Sequence, residues 1–198
     1  TQRTLTITGA VNTPVTVTVP IGVSLREVLA MAGDVSVPDV AFIDGGPMMG
    51  KLVTSLDAPV TKTTGGLIAL PASHILIRRR RQSEHSILEI ARTTCEQCLL
   101  CTELCPRHII GHELPPHLIV RSVNYHHFGQ PSTLLSSLTC SECAICEAWA
   151  CPVDISPMRI NQMLKIQLRK ENIRYTGPLH PVDPMAEHRL VPTSHLID

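Results

Sequence analysis

The chain has 198 residues, with 17 basic and 17 acidic side chains giving zero formal net charge, and 43% of its residues are hydrophobic. That length holds one ordinary domain or two small ones, and the apolar share suffices for a core. The charge balance argues against a nucleic-acid binder, the scarcity of aromatics (two Phe, two Tyr, one Trp) argues against a flavin sandwiched between rings of this chain, and no apolar run reaches the length of a membrane span. The opening "TQRTLTITGA" has no apolar signal region and no initiator Met, so the natural polypeptide is expected to begin earlier.

Up to about residue 83 the pattern is β-rich. "TLTITGAV" and "VTVTVPIG" alternate Thr with apolar residues, the period-two mark of half-buried strands, and Asn12-Thr13-Pro14 between them predicts a hairpin turn. "SLREVLAMAG" predicts a short helix. Ser24 and Glu27 form a capping box, Leu25, Val28, Leu29 and Ala32 share one face, and Gly33 stops it. "VAFIDGG" and "GLIALP" predict short strands. "HILIRRR" predicts a less regular one running into four arginines (78–81), an edge strand or linker, with a docking patch for an acidic electron partner as the alternative. "GGPMMG" (45–50) predicts a tight turn, with contact to a flavin or a neighbouring domain as the alternative. Two strands, a helix and further strands make a small α+β unit with the helix over one sheet face.

Beyond residue 83 the pattern turns helical. "SILEIAR" leads into a first cysteine run. "PPHLIVRSVNYHHFG" follows, with Leu118, Ile119, Ser122 and Val123 on one face, and "PSTLLSSL" leads into a second cysteine run. "SPMRINQMLKIQLRKEN" has Ser156 as N-cap and Pro157 at its first position. Ile160, Met163, Leu164 and Leu168 form its stripe, and Arg169 and Lys170 suit its C-terminal dipole. From Ile173 the chain is rich in Pro and His and predicts a linker or surface wrap. The expected domains are therefore 1–82, 83–172 and a tail over 173–198.

All 8 cysteines lie in the two runs, "CEQCLLCTELCP" (95–106) and "CSECAICEAWACP" (140–152). Disulfides need an oxidising compartment, and nothing here indicates export. Zinc prefers two cysteine pairs separated by a longer loop. The first run instead has the spacing C-x2-C-x2-C-x3-C-P of bacterial ferredoxins, in which the fourth cysteine ligates the other cluster of a two-cluster protein. The expected ligands are Cys95, Cys98, Cys101 and Cys151 for one [4Fe–4S] cluster, and Cys105, Cys140, Cys143 and Cys146 for the other. The second run departs from the pattern by one residue, with "EAWA" before Cys151, so a local bulge is expected there. With all eight cysteines used as ligands, the expected role is a one-electron relay, and no catalytic side chain is expected. The long stretch between Cys105 and Cys140 carries predicted helices, which favours a helical two-cluster ferredoxin over a compact ββ one. Ten histidines raise the question of a further metal. His112 and His117 lack helical spacing because of the intervening prolines, and His126 and His127 are adjacent, so no histidine site is expected. Trp149 is expected to pack over a cluster and limit its exposure to solvent, with plain core packing as the alternative.

"GGPMMG" and "VTKTTGGLIALP" (60–71) resemble the β-grasp, soluble ligand-binding (SLBB) domain. Followed by two ferredoxin motifs, the chain resembles the family that joins the RnfC component of the Rnf electron-transport complex to the cobalamin reductases of propanediol-utilising bacterial microcompartments. The resemblance runs over about 4–172, with a weaker echo in "RLVPTSHLID". The spacing before Cys151, "CTELCPRHIIGHELPPH" and "ACPVDISPMRINQMLK" look closer to the cobalamin reductases. The resemblance implies a longer NADH-dependent oxidoreductase, with FMN and NADH bound by an upstream Rossmann-like domain and a further domain downstream. It implies electrons passing singly through the two clusters to a corrinoid, with cobalamin as acceptor. It also implies a place in the bacterial cytoplasm inside a microcompartment, and partners such as the shell or an adenosyltransferase. Two alternatives remain at this point: the equivalent segment of an Rnf-type NADH:ferredoxin oxidoreductase, or a ligand-binding module with structural clusters.

Overall fold

A computed structural model describes residues 1–125 and 130–177. The chain divides into two compact units, the first Thr1–Gln82 and the second starting at Ser83.

In the first unit, β1 (Gln2–Gly9) and β2 (Val15–Pro20) form the expected antiparallel hairpin. Its outward hydroxyls pair across the strands, Thr4 with Thr18 at 2.8 Å and Thr6 with Thr16 at 2.9 Å. The alternate residues Leu5, Ile7 and Val19 are buried. β3 (Val40–Asp44), β4 (Lys51–Leu52) and β5 (Gly66–Pro71) complete a five-stranded sheet of order β2-β1-β5-β3-β4, in which only β1 and β5 run parallel. Gly9 sits where β1 meets β5 at φ +92°, and a Cβ there would lie 2.1 Å from the carbonyl oxygen of Ala69, so only glycine fits. The helix α1 (Leu25–Ala30) carries the capping box between Ser24 and Glu27. It packs Leu25, Val28 and Leu29 on the face formed by Leu5, Ile7, Leu67 and Ala69.

The period-two geometry of β5 sends Ile68 and Leu70 to the opposite face. There α2 (Ile75–Arg81) covers them through Ile77. The sequence pattern predicts a strand for this segment, and the structure makes it a helix. Short apolar runs do not separate the two states by pattern alone. A local cap and distant contacts decide it: His74 Nδ1 accepts the Leu76 N–H as an N-cap at 3.2 Å, and Ile77 sits fully buried against the sheet while Ile75 is exposed. The basic run is therefore the last turn of this helix. Arg80 donates from Nε to the Gly50 carbonyl at 2.9 Å, and from a terminal nitrogen to the carbonyls of Pro47 and Met48 at 2.6 and 3.2 Å. It fastens the "GGPMMG" turn, whose Gly45 adopts φ +105°.

The second unit is helical: α3 (Glu84–Thr94), α4 (Leu100–Glu103), α5 (Pro106–Ile109), α6 (Pro116–Tyr125), α7 (Pro131–Leu135), a 3-10 turn (Ser136–Thr139), α8 (Ile145–Ala148) and α9 (Pro157–Lys170). Ile87 and Ala91 of α3, Val120 of α6, Ile155 just before α9 and Ile160 within it form one core, and Leu114 and Ile119 form a second with Cys105. Two stripes differ from those the sequence predicts. On α6 the buried face is Ile119, Val120, Ser122 and Asn124, while Leu118 is exposed. On α9 it includes Asn161 and Lys165 beside Ile160 and Leu168, with Met163 and Leu164 only partly covered. His126, His127 and the tail from residue 178 lie outside the described residues.

Candidate metal centre

Each cysteine run is a loop bent by the backbone and pinned between helices. Cys95 caps the C-terminal end of α3, and Cys140 ends the 3-10 turn. In both runs the residue before the second cysteine and the residue after it adopt left-handed backbone, Gln97 (φ 55°) and Leu99 (φ 71°) in the first, Glu142 (φ 57°) and Ala144 (φ 64°) in the second. None is glycine, and each such conformation costs an L-residue roughly 1–2 kcal/mol. The strain recurs at matching positions and curls each loop about its cysteines. Leu99 and Ala144 then start α4 and α8, which carry Cys101 and Cys146. The fourth cysteine of the first run, Cys105, is the N-cap of α5, with Pro106 at the next position.

The two sets cross. Cys95, Cys98 and Cys101 share the wall of one cavity with Cys151 from the second run. Val120, Val153, Ile155 and Pro157 supply much of the remaining wall. The "EAWA" insertion is accommodated before Cys151, which still reaches this cavity. Burial, then the neighbouring Cys95, Cys98 and Cys151 sulfurs, push the Cys101 thiol up to about 12. In the second set Cys105 and Cys146 are buried, and Cys140 and Cys143 are half-buried. Burial and then Glu147, Cys140, Cys101 and Cys105 raise the Cys146 thiol. Burial also raises Cys105, opposed by backbone N–H groups of His108 and Arg107, with Cys143 adding to the rise. Cys101 of the first run thus lies close enough to Cys146 of the second to act on it. None of the cysteines is in a disulfide.

Donors converge on the sulfurs. Gln97 Nε2 donates to Cys95 Sγ at 3.1 Å, the Glu142 N–H to Cys140 Sγ at 3.4 Å and the Ile155 N–H to Cys151 Sγ at 3.3 Å. Thr102, buried beside Cys101, bonds His117 Nδ1 at 2.6 Å and accepts the His117 N–H at 3.2 Å, tying α4 to the start of α6. Burial, then the nearby His108 and Arg121, hold the His117 imidazole below its usual range, which keeps the cavity wall uncharged at that point. From α9, Lys165 Nζ donates to the Cys140 carbonyl at 2.9 Å and to Glu142 Oε1 at 2.5 Å.

Sequence reasoning misses Gln97, Thr102, His117, Glu142 and Lys165 as parts of the site. For Lys165 the sequence offers only a lysine three residues before Leu168, at the edge of a stripe that otherwise reads as apolar. Trp149 requires a correction. In place of the expected packing over a cluster it is 77% exposed, because α8 ends at Ala148 and the chain turns there to bring Cys151 inward.

Thiols arranged as three from one run plus one from the other, on one largely apolar cavity wall, are a donor set suited to a cubane of iron and sulfide. The fold and this donor set define the class: an SLBB domain joined to a carrier of two [4Fe–4S] clusters. Residues 4–52 match the SLBB domain family, and residues 94–156 match the 4Fe-4S dicluster domain family. The chain is 67% identical over 197 residues to a protein named cobalamin reductase PduS from Salmonella typhimurium, and 64% identical to its namesake from Citrobacter freundii. Each of those alignments covers 100% of this chain and 44% of the relative. A component of an ion-translocating oxidoreductase complex from Cronobacter sakazakii is 32% identical over 115 residues, 58% of this chain and 13% of that protein. The chain belongs to the PduS-like family, to which the ion-translocating complex component is a more distant relative, and it spans less than half the length of its PduS relatives.

Proposed function

We propose that this chain is the electron-relay segment of an NADH-dependent cobalamin reductase. It takes electrons from a flavin held by an adjacent part of the longer protein and delivers them singly toward a corrinoid. Cys95, Cys98, Cys101 and Cys151 hold one cluster, and Cys105, Cys140, Cys143 and Cys146 hold the other. The observation that carries this is the single cavity wall shared by Cys151 and the first three cysteines of the other run. When bound, each [4Fe–4S] group supplies a one-electron carrier, which suits the mismatch between a hydride donor and a cobalt acceptor that takes electrons one at a time. The chain's own residues hold and insulate. Val120, Val153 and Ile155 exclude water from the first site, Gln97 and the Glu142 and Ile155 N–H groups temper the charge on the sulfurs, and Thr102 with His117 fixes the α4 turn. Identity to the PduS proteins along all of this chain, against partial coverage by the ion-translocating complex component, favours a corrinoid acceptor over a ferredoxin-type one and supports a place inside a bacterial microcompartment. Among the described residues no helix is long and apolar enough to cross a membrane.

The test is iron and sulfide analysis of anaerobically prepared protein, with EPR after dithionite reduction and stopped-flow mixing with cob(III)alamin. About eight irons in two cubanes and reoxidation by the corrinoid are expected. Stoichiometric zinc with no cubane signal on reconstitution would sink the assignment, and reoxidation by a ferredoxin but not by cobalamin would sink the corrinoid half.

A further inference from the structure

The two cysteine loops repeat each other's backbone but not their electrostatics. In the first loop the left-handed residue before the second cysteine is Gln97, neutral, with its amide on Cys95 Sγ and 3.4 Å from the His117 carbonyl. In the second loop the same position is Glu142. Its carboxylate is gripped from α9 at both oxygens, Oε1 by Lys165 Nζ and Oε2 by Gln162 Nε2 at 3.1 Å. Lys165 is the unusual member. Its side chain is only 7% exposed against 32% for Glu142, on a helix whose other buried members are Pro157, Ile160, Asn161 and Leu168. A lysine is rarely buried unless paired, and this one turns inward to reach both the Glu142 carboxylate and the Cys140 carbonyl. Glu142 also presents its own N–H to Cys140 Sγ. One ammonium thus fixes the residue that supplies a sulfur hydrogen bond, and stands within hydrogen-bond reach of the backbone of a cysteine proposed as a ligand. The matching place in the first loop is held by the neutral Gln97 amide.

We propose that Lys165 is a positioning residue that sets the redox potential of the second site. Its charge, clamped over the Cys140–Cys143 loop through Glu142, makes the cluster there easier to reduce than the same loop would be without it. The proposal rests on the ligand assignment given above. The physical basis is general: fixed charge and hydrogen bonds to the sulfurs move the potential of an iron–sulfur centre, and removing one member of a buried ion pair exposes the full field of the other. Lys165→Met removes a positive charge and leaves Glu142 without its ammonium partner, and the more negative surroundings oppose reduction. Glu142→Gln does the reverse. The double variant cancels most of the effect.

The experiment is an anaerobic redox titration of the purified protein, followed by low-temperature EPR. The second-site wave is identified as the one that Cys143→Ser removes. Lys165→Met is expected to lower the reduced-to-oxidised ratio of that wave at fixed potential about tenfold, which is ~59 mV for a one-electron couple. Glu142→Gln raises the ratio, Glu142→Gln with Lys165→Met returns it toward the parent value, and the first-site wave stays in place throughout. A merely structural lysine would alter cluster loading and leave the potential of the loaded fraction unchanged, and that result overturns the proposal. So does an equal shift of both waves. If Lys165→Met fails to load its second site, Glu142→Gln decides alone: a raised ratio supports the proposal and an unmoved one overturns it. Parent protein without iron and sulfide would overturn the ligand assignment itself, whereas two loaded clusters insensitive to both variants overturn only the role of Lys165.

Discussion

Cys105 and Cys151 each leave the company of the run that carries them. Cys105 turns away because it caps α5 and Pro106 starts the next helix immediately; Cys151 turns in because the chain bends after Ala148. Cys105→Ala is therefore expected to remove about half the iron, roughly four of eight, and to damage the site of Cys140, Cys143 and Cys146 while sparing the one nearer in sequence. Iron analysis and site-resolved EPR check this, and loss of the first site alone would refute the crossing. The eight thiols, and the spacing that predicts their crossed grouping, are read directly from the sequence. Lys165 and Trp149 are not. A lysine on an apolar stripe and a tryptophan between two cysteines each suggest the commoner arrangement, the one solvated and the other packed, and local pattern holds no information about a carboxylate brought from another loop or about where a short helix ends.

At the level of elements, the matched left-handed residues make a second point. Ala144 is buried at φ 64°, where a β-branched side chain is badly strained. Ala144→Val is expected to cost about 1–3 kcal/mol and to weaken iron loading of the second site, while Ala144→Gly relieves the strain and holds or raises stability. Urea unfolding of the three proteins, with iron content alongside, separates strain from simple crowding, because glycine adds no bulk. The capping box of α1 and the Thr ladder of the hairpin are readable because their signals are local: two residues three apart, and hydroxyls alternating with apolar side chains. The helix α2 escapes the pattern for the opposite reason. "ILIRRR" has no clean period, and its state is decided by what Ile77 meets on the sheet and by the carbonyls that Arg80 reaches, both distant in sequence.

Taken whole, the molecule has two separate organisations, a five-stranded mixed sheet with a helix on each face and a helical unit built around sulfur. Among the described residues neither shows a glycine-rich loop suited to a dinucleotide, and "GGPMMG" is closed down by Arg80. The purified chain is therefore expected neither to oxidise NADH nor to retain FMN; stoichiometric flavin after gel filtration would show that the sheet unit had been misjudged. Fold class is legible at this scale because period-two segments occur only up to β5 and helical spacing carries the chain beyond it. On the proposed ligand sets, the crossing also orders events during synthesis. As the chain leaves the ribosome, the set containing Cys105 has its last member once Cys146 emerges, while the set that begins with Cys95 waits for Cys151. The site whose cysteines are made first is the last to be completed, and until that moment three of its thiols stand exposed to whatever oxidant or stray metal the nascent chain meets.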